Sequence, residues 1–254
     1  MTFGYHLRVG RLNDLFLKKR KLYFLHIPKT AGTSVSNALS EIAVKKDLKM
    51  VGPILIDHLV ERPNWEKSDL LVGHLGLLPL NHGFSYFTIL RDPLERLFSH
   101  YSHVKRDSVH NFHNIVVGEN LNFEEYLSDD RFYNMNFNMQ ARYLSMIPKI
   151  DNLDEDTRFA QLAYDFENSA VSSISLEIAL KTLEDARWVG DQNNLSSLGK
   201  FLENYFGFAG IQFPFLNNNP EGFKKFTPNE IEAAKPLIEL DTIIYKRWEK
   251  TKFP

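Results

Sequence analysis

The feature that most constrains the fold is a strand-like run that stops at a glycine-containing loop and turns directly into a helix. Leu22-Tyr23-Phe24-Leu25-His26-Ile27 is apolar and aromatic almost throughout. A short run without polar alternation suits a strand covered on both faces, as in a parallel sheet. Pro28 to Gly32 follows as a loop, with Thr33 and Ser34 after it. Val35, Ala38, Leu39 and Ile42 then fall at i, i+3, i+4 and i+7, the apolar stripe of a helix.

The same strand-to-loop pattern recurs. Leu70-Leu71-Val72 enters Gly73-His74, and a run from Phe84 to Leu90 ends at Arg91. Asp92 is placed as an N-cap with Pro93 as the first helical residue, and Leu94, Leu97, Phe98 and Tyr101 carry helical spacing. Further on, helices are expected over 123–127, 139–144, 157–168 and 175–183, and a late strand at Trp188-Val189-Gly190. Leu195, Leu198, Leu202 and Tyr205 mark a helix ended by Gly207. Thr227-Pro228-Asn229-Glu230 has the form of a capping box opening a last helix that restarts at Pro236. Strands alternating with helices give an α/β fold with a mostly parallel central sheet. No repeat or linker divides the chain, so residues 1–254 read as a single domain.

Ligands in such sheets sit beyond the carboxyl ends of the strands, where these loops lie. A helix N-terminus offers unpaired N–H groups and a positive dipole end to an anion. In the first loop Gly32 permits close approach of backbone to an oxygen, Thr33 and Ser34 add hydroxyls, and Lys29 adds a cation. The order is not that of a Walker A loop, in which Lys directly follows the last glycine. In the second segment Arg91 stands where a strand ends, a position suited to bidentate phosphate binding. Ser99 lies two turns into the helix as a further donor, and Arg96 reads as the structural partner of a carboxylate. Two anion-binding loops suggest one ligand with separated phosphates.

Composition excludes several chemistries. Thirty Lys plus Arg against thirty-two Asp plus Glu leave no global field for nucleic acid. The absence of cysteine removes disulfides, thiolate nucleophiles and Cys-ligated zinc. No apolar run is long enough for a transmembrane segment, and a cytoplasmic location is the simplest expectation. His100, His103, His110 and His113 form i, i+3 pairs but lack the i, i+4 spacing of helical metal motifs, so they read as surface or core positions and no metal is expected.

Together the segments resemble the paired signatures of the sulfotransferases that use 3′-phosphoadenosine 5′-phosphosulfate (PAPS), in particular the heparan sulfate 2-O-sulfotransferase-like carbohydrate branch and its bacterial relatives. Residues 29–34 are similar to the family's phosphosulfate loop. Arg91 to Tyr101 fits R-D-P-x-x-R-x-x-S-x-Y, the family's 3′-phosphate segment, about 60 residues later. Asn138-Met139-Gln140-Ala141-Arg142-Tyr143-Leu144 resembles its N-x-Q-x-R-x-L helix. The resemblance implies a P-loop-like three-layer fold and sulfuryl transfer to a hydroxyl, with a carbohydrate acceptor, 3′,5′-diphosphoadenosine as product and no metal. It implies cofactor binding by Lys29, Thr30, Ala31, Gly32, Thr33, Ser34, Arg91 and Ser99. Lys29 would stabilise the leaving phosphate. His74, similar in its Gly-His setting to the branch's catalytic base, would take the hydroxyl proton. Glu95 and Glu61 are reserve bases, Gln140 and Arg142 candidates for cofactor or acceptor contact, and Lys224 and Lys225 candidates to cover the phosphates. The alternatives are a P-loop-type phosphotransferase using a nucleoside triphosphate, and a nucleotide-binding module without catalysis.

Overall fold

The computed structural model describes residues 21–55, 64–147, 174–193, 195–207, 209–211 and 224–252. The expected helix over 157–168 and Glu61 lie outside these residues.

Strand β1 (Leu22–Leu25) is the middle of a five-stranded parallel sheet. All four of its side chains are fully buried, as an uninterrupted apolar run requires. It pairs on one side with β3 (Leu70–Gly73) and on the other with β4 (Ser85–Leu90), so that Tyr23 stands opposite both Leu71 and Tyr86. Strands β2 (Met50–Ile54) and β5 (Trp188–Asp191) complete the order β2-β3-β1-β4-β5. The β2 strand is absent from the sequence expectations. Its sequence, MVGPI, contains Gly52 and Pro53, which signal a break rather than a strand. It survives because it lies at the sheet edge, where its pairing with β3 shifts register between Val51 and Ile54.

Helices cover both faces. Helix α1 (Gly32–Lys46) and α8 (Leu195–Phe206) lay Val35, Leu39, Leu198 and Leu202 against Leu22, Phe24 and Phe87. The opposite face, with Tyr23 and Leu25, is covered by residues of α6 (Met139–Ser145), α7 (Leu176–Asp185) and α10 (Glu239–Lys252). A third cluster, outside the sheet layers, joins α2 (Pro93–Arg106) to α3 (His113–Gly118), α4 (Phe123–Ser128) and α9 (Pro228–Ala234) around Phe98, Phe123 and Phe132. Short α5 (Tyr133–Asn136) precedes α6. The capping box at Thr227 and Glu230 forms, and the chain after Ala234 passes through a 3₁₀ turn at Lys235–Leu237 before α10. No helix among the described residues is long and apolar enough to cross a membrane.

The starts of α6 and α10 cap one another across the fold. Asn138 Oδ1 accepts from Leu240 N at 2.8 Å and Asp241 N at 3.2 Å. Asp241 in return accepts from Ala141 N at 2.7 Å and Gln140 N at 3.1 Å, and its side chain is fully buried. Asp241→Ala should therefore destabilise the fold by about 1–3 kcal/mol for each N–H left without an acceptor. Urea denaturation should show a lowered midpoint, with Asp241→Asn, which keeps one acceptor, falling between.

Candidate active site

The carboxyl ends of β1, β3 and β4 are adjacent, and the loops that follow them open into one cleft of about 960 Å³. Lys29, His74, Arg91 and Ser99 all line it, as do Ala31, Gly32, Thr33 and Ser34.

The loop after β1 is held in an unusual backbone conformation. Lys29 has φ 72° and Ala31 φ 69°, the left-handed region that non-glycine residues rarely enter, at a cost of about 1–3 kcal/mol each. Thr30, between them, is fully buried, and its hydroxyl donates to Ile27 O at 2.8 Å. That bond staples the loop and leaves the Thr30 hydroxyl turned away from the cleft. Ala31 is the N-cap of α1 and supplies no side-chain acceptor, and the first turn holds no acidic residue. The N–H groups of that turn thus have no side-chain caps, at a point of the chain that lines the cleft. The missing side chain of Gly32 also makes room for a neighbour within the protein. A Cβ there would lie 1.7 Å from Nε2 of His26, so the space the missing side chain opens is filled by an imidazole.

Lys29 stands among cations. Its ammonium is pushed down to about 8, first by burial and then by Arg106, Arg91 and Arg96. Arg91 donates from Nη1 to Lys29 O at 3.3 Å and faces Glu95 at 3.6 Å, which ties the reserve base Glu95 to an ion pair. The Arg91 backbone is clamped by Gln140, whose amide accepts from Arg91 N at 3.1 Å and donates to Arg91 O at 2.9 Å. Gln140 therefore acts from behind the site. Arg142 is likewise buried, donating to Asn134 O at 2.5 Å and Phe137 O at 3.0 Å. Arg96 is fully buried, but its guanidinium makes no hydrogen bond or ion pair among the described residues, and Asp241 acts on it only as a nearby charge. The expected carboxylate pairing is thus indirect.

His74 follows β3. Its Nδ1 lies 2.8 Å from His26 O. A carbonyl can only accept, so Nδ1 carries the proton and Nε2 keeps its lone pair. Burial pushes the imidazole down to about 4, against an upward pull from that hydrogen bond, so His74 is neutral at physiological pH. Its ring packs at 4.2 Å from that of His26 and edge-on to Tyr143 at 5.9 Å.

The wall formed by α2 reaches further than the sequence reading foresaw. Ser99, His103 and Arg106, at i, i+4 and i+7, all line the cleft, with His100 and His110 beside them. The spacing was visible, but periodicity alone does not say which face of a helix meets a ligand. Among the described residues no group of three or more His, Asp or Glu side chains is arranged to hold a metal ion. Lys224 lines the cleft too, but its ammonium pairs with Glu230 at 2.7 Å and sits over the rings of Phe98 and Phe123 at 4.5 and 4.9 Å. Lys225 is exposed and lies outside the cleft lining.

Comparison with known families finds a match to the one described as Sulfotransferase family, over residues 15–186. No curated protein matches the chain.

The contact between Gly32 and His26 has a measurable consequence. Gly32→Ala should destabilise the protein by about 1–3 kcal/mol through overpacking, because the His26 ring is flanked by Phe24 and His74. A double-mutant cycle with His26→Ala, read by thermal unfolding, should show non-additivity of at least about 0.5 kcal/mol.

Proposed function

We propose that this chain, which belongs to the sulfotransferase family, takes PAPS as sulfuryl donor and a carbohydrate hydroxyl as acceptor, with Lys29 and His74 as its catalytic residues. One observation carries the reading: the Lys29 loop, Arg91 and His74 bound a single cleft, with Arg91 in contact with the Lys29 backbone. The charges in that cleft fit such a donor. Arg91 and Arg106 both crowd Lys29, and an anion with separated phosphates offsets the repulsion and desolvation that depress its ammonium. The uncapped first turn of α1 suits the phosphosulfate end.

When bound, PAPS supplies a sulfuryl group attached to a phosphate leaving group. His74 accepts the acceptor hydroxyl's proton at Nε2 as the new S–O bond forms. Lys29 neutralises the charge that gathers on the bridging oxygen as the old S–O bond breaks. Arg91 and Ser99 hold the 3′-phosphate. Ser34, Thr33 and the backbone of residues 30–32 hold the other end, Thr30 contributing through its backbone because its hydroxyl is spent on Ile27. The products are a sulfate ester and 3′,5′-diphosphoadenosine. The carbohydrate acceptor rests on the likeness of the Gly73-His74 dipeptide and the paired loops to the carbohydrate branch.

Thermal unfolding tests donor choice: 3′,5′-diphosphoadenosine should raise the melting temperature and ATP with magnesium should not. The reverse result would favour the phosphotransferase. Lys29→Ala should lower turnover on the order of 10²–10³-fold, and His74→Ala roughly 10²–10⁴-fold. Arg91→Ala should mainly raise the KM for the donor. The pH profile of kcat/KM reports the free enzyme. His74 must be unprotonated and Lys29 protonated, so activity should fall below about pH 4 and above about pH 8. In kcat the alkaline limb should move upward, since a bound polyanion stabilises the ammonium.

A further inference from the structure

We infer that His26 is an uncharged hydrogen-bond donor to the anionic oxygens held by the Lys29 loop, and that it and His74 are a close, tilted pair of opposite tautomers. The inference rests on the donor reading above for the identity of the anion, but not for the tautomer.

His26 stands at the head of the first anion-binding segment, where β1 runs into the Lys29 loop, and no role was assigned to its side chain. It follows β1 and lines the cleft, with Phe24 at 5.2 Å on its ring and His74 at 4.2 Å. Its carbonyl fixes His74 with the proton on Nδ1. Its own ring has the opposite need. Nδ1 of His26 is buried and has no hydrogen-bond partner among the described residues. A proton there would be a buried N–H with nothing to receive it, which costs more than an unused lone pair. The proton therefore belongs on Nε2. A second proton is disfavoured by burial and by the neighbouring His74 and Lys29, so the ring stays neutral.

Nε2 stands at the anion cradle and is not blocked by it. The Cβ that Gly32 lacks would lie 1.7 Å from Nε2, 1.9 Å from Cε1 and 2.5 Å from Cδ2. An atom in line with the N–H bond would be equally far from the two carbons. The unequal distances put Gly32 against the ring's face near the Nε2–Cε1 edge, so Gly32 itself does not block the in-plane N–H direction. The absent side chain at Gly32 thus admits a donor to the loop where α1 begins. A neutral donor adds a hydrogen bond there without adding another positive charge beside Lys29. His74 offers a lone pair to the acceptor hydroxyl, and His26 offers a proton to a phosphate or sulfonate oxygen.

The test uses ¹⁵N-histidine-labelled protein. In the free chain His26 should show a protonated Nε2 and a bare Nδ1, and His74 the reverse. Adding 3′,5′-diphosphoadenosine should shift the His26 Nε2 resonance. His26→Phe, which keeps an aromatic ring but no donor, should bind that nucleotide about 10-fold more weakly, and His26→Gln should recover most of the loss. The His74 tautomer should be unchanged in both, because the carbonyl that sets it is backbone. A His26 proton on Nδ1, or a folded His26→Phe variant that binds with unaltered affinity, overturns the inference. If the nucleotide fails to bind the unmodified chain, the donor reading falls by itself. Inorganic sulfate then serves as probe: a shift at Nε2 upholds the role of His26, and no shift ends it.

Discussion

Parallel strands cannot be joined by tight turns, so each must be followed by a crossover that carries the chain over a face of the sheet. In this protein the requirement is sharpest at β1, which has parallel neighbours on both sides and four fully buried side chains. Burying such side chains is worth roughly 1.5–3 kcal/mol each, and it is realised only when helices close over both faces. Every loop leaving β1, β3 and β4 is then delivered to the same edge. The cleft follows from this: its walls are the places where buried strands stop.

The second ordering principle is crowded positive charge. Arg91 and Arg106 act on Lys29 at the cleft, opposed by Asp107 near Lys29 and by Glu95, which faces Arg91. Folding bears this cost through contacts lying behind the site. Asp241 holds the start of α6, α6 carries Gln140, and Gln140 clamps the Arg91 backbone by two hydrogen bonds. This support from below fixes the Arg91 backbone beside the Lys29 loop. The same economy appears at His74, the proposed base. His74 is held by a backbone carbonyl, which fixes the tautomer without adding a negative charge that would compete with a phosphate for the cations.

Local pattern made much of this legible. The apolar runs at Leu22, Leu70 and Phe84, the Asp92 cap and Thr227 capping box, and the loops carrying Lys29 and Arg91 were readable because each depends on neighbours within a few residues. The β2 strand was not, since Gly52 and Pro53 argue locally against a strand and only its edge position makes them tolerable. The family resemblance marks Gln140 and Arg142 as candidates for ligand contact. Burial turned them inward, to backbone partners contributed by other elements.

By itself the chain's order of residues determined the parallel α/β architecture and the placing of Lys29, His74 and Arg91 at strand ends, because strand burial and helix capping are short-range properties. Tertiary structure alone decided that these ends converge, that the imidazole of His26 fills the space over Gly32, and that Ser99, His103 and Arg106 turn the same helix face to the cleft. Those outcomes depend on which surfaces pack together across the sheet. Packing joins residues far apart in sequence, and no local pattern records it.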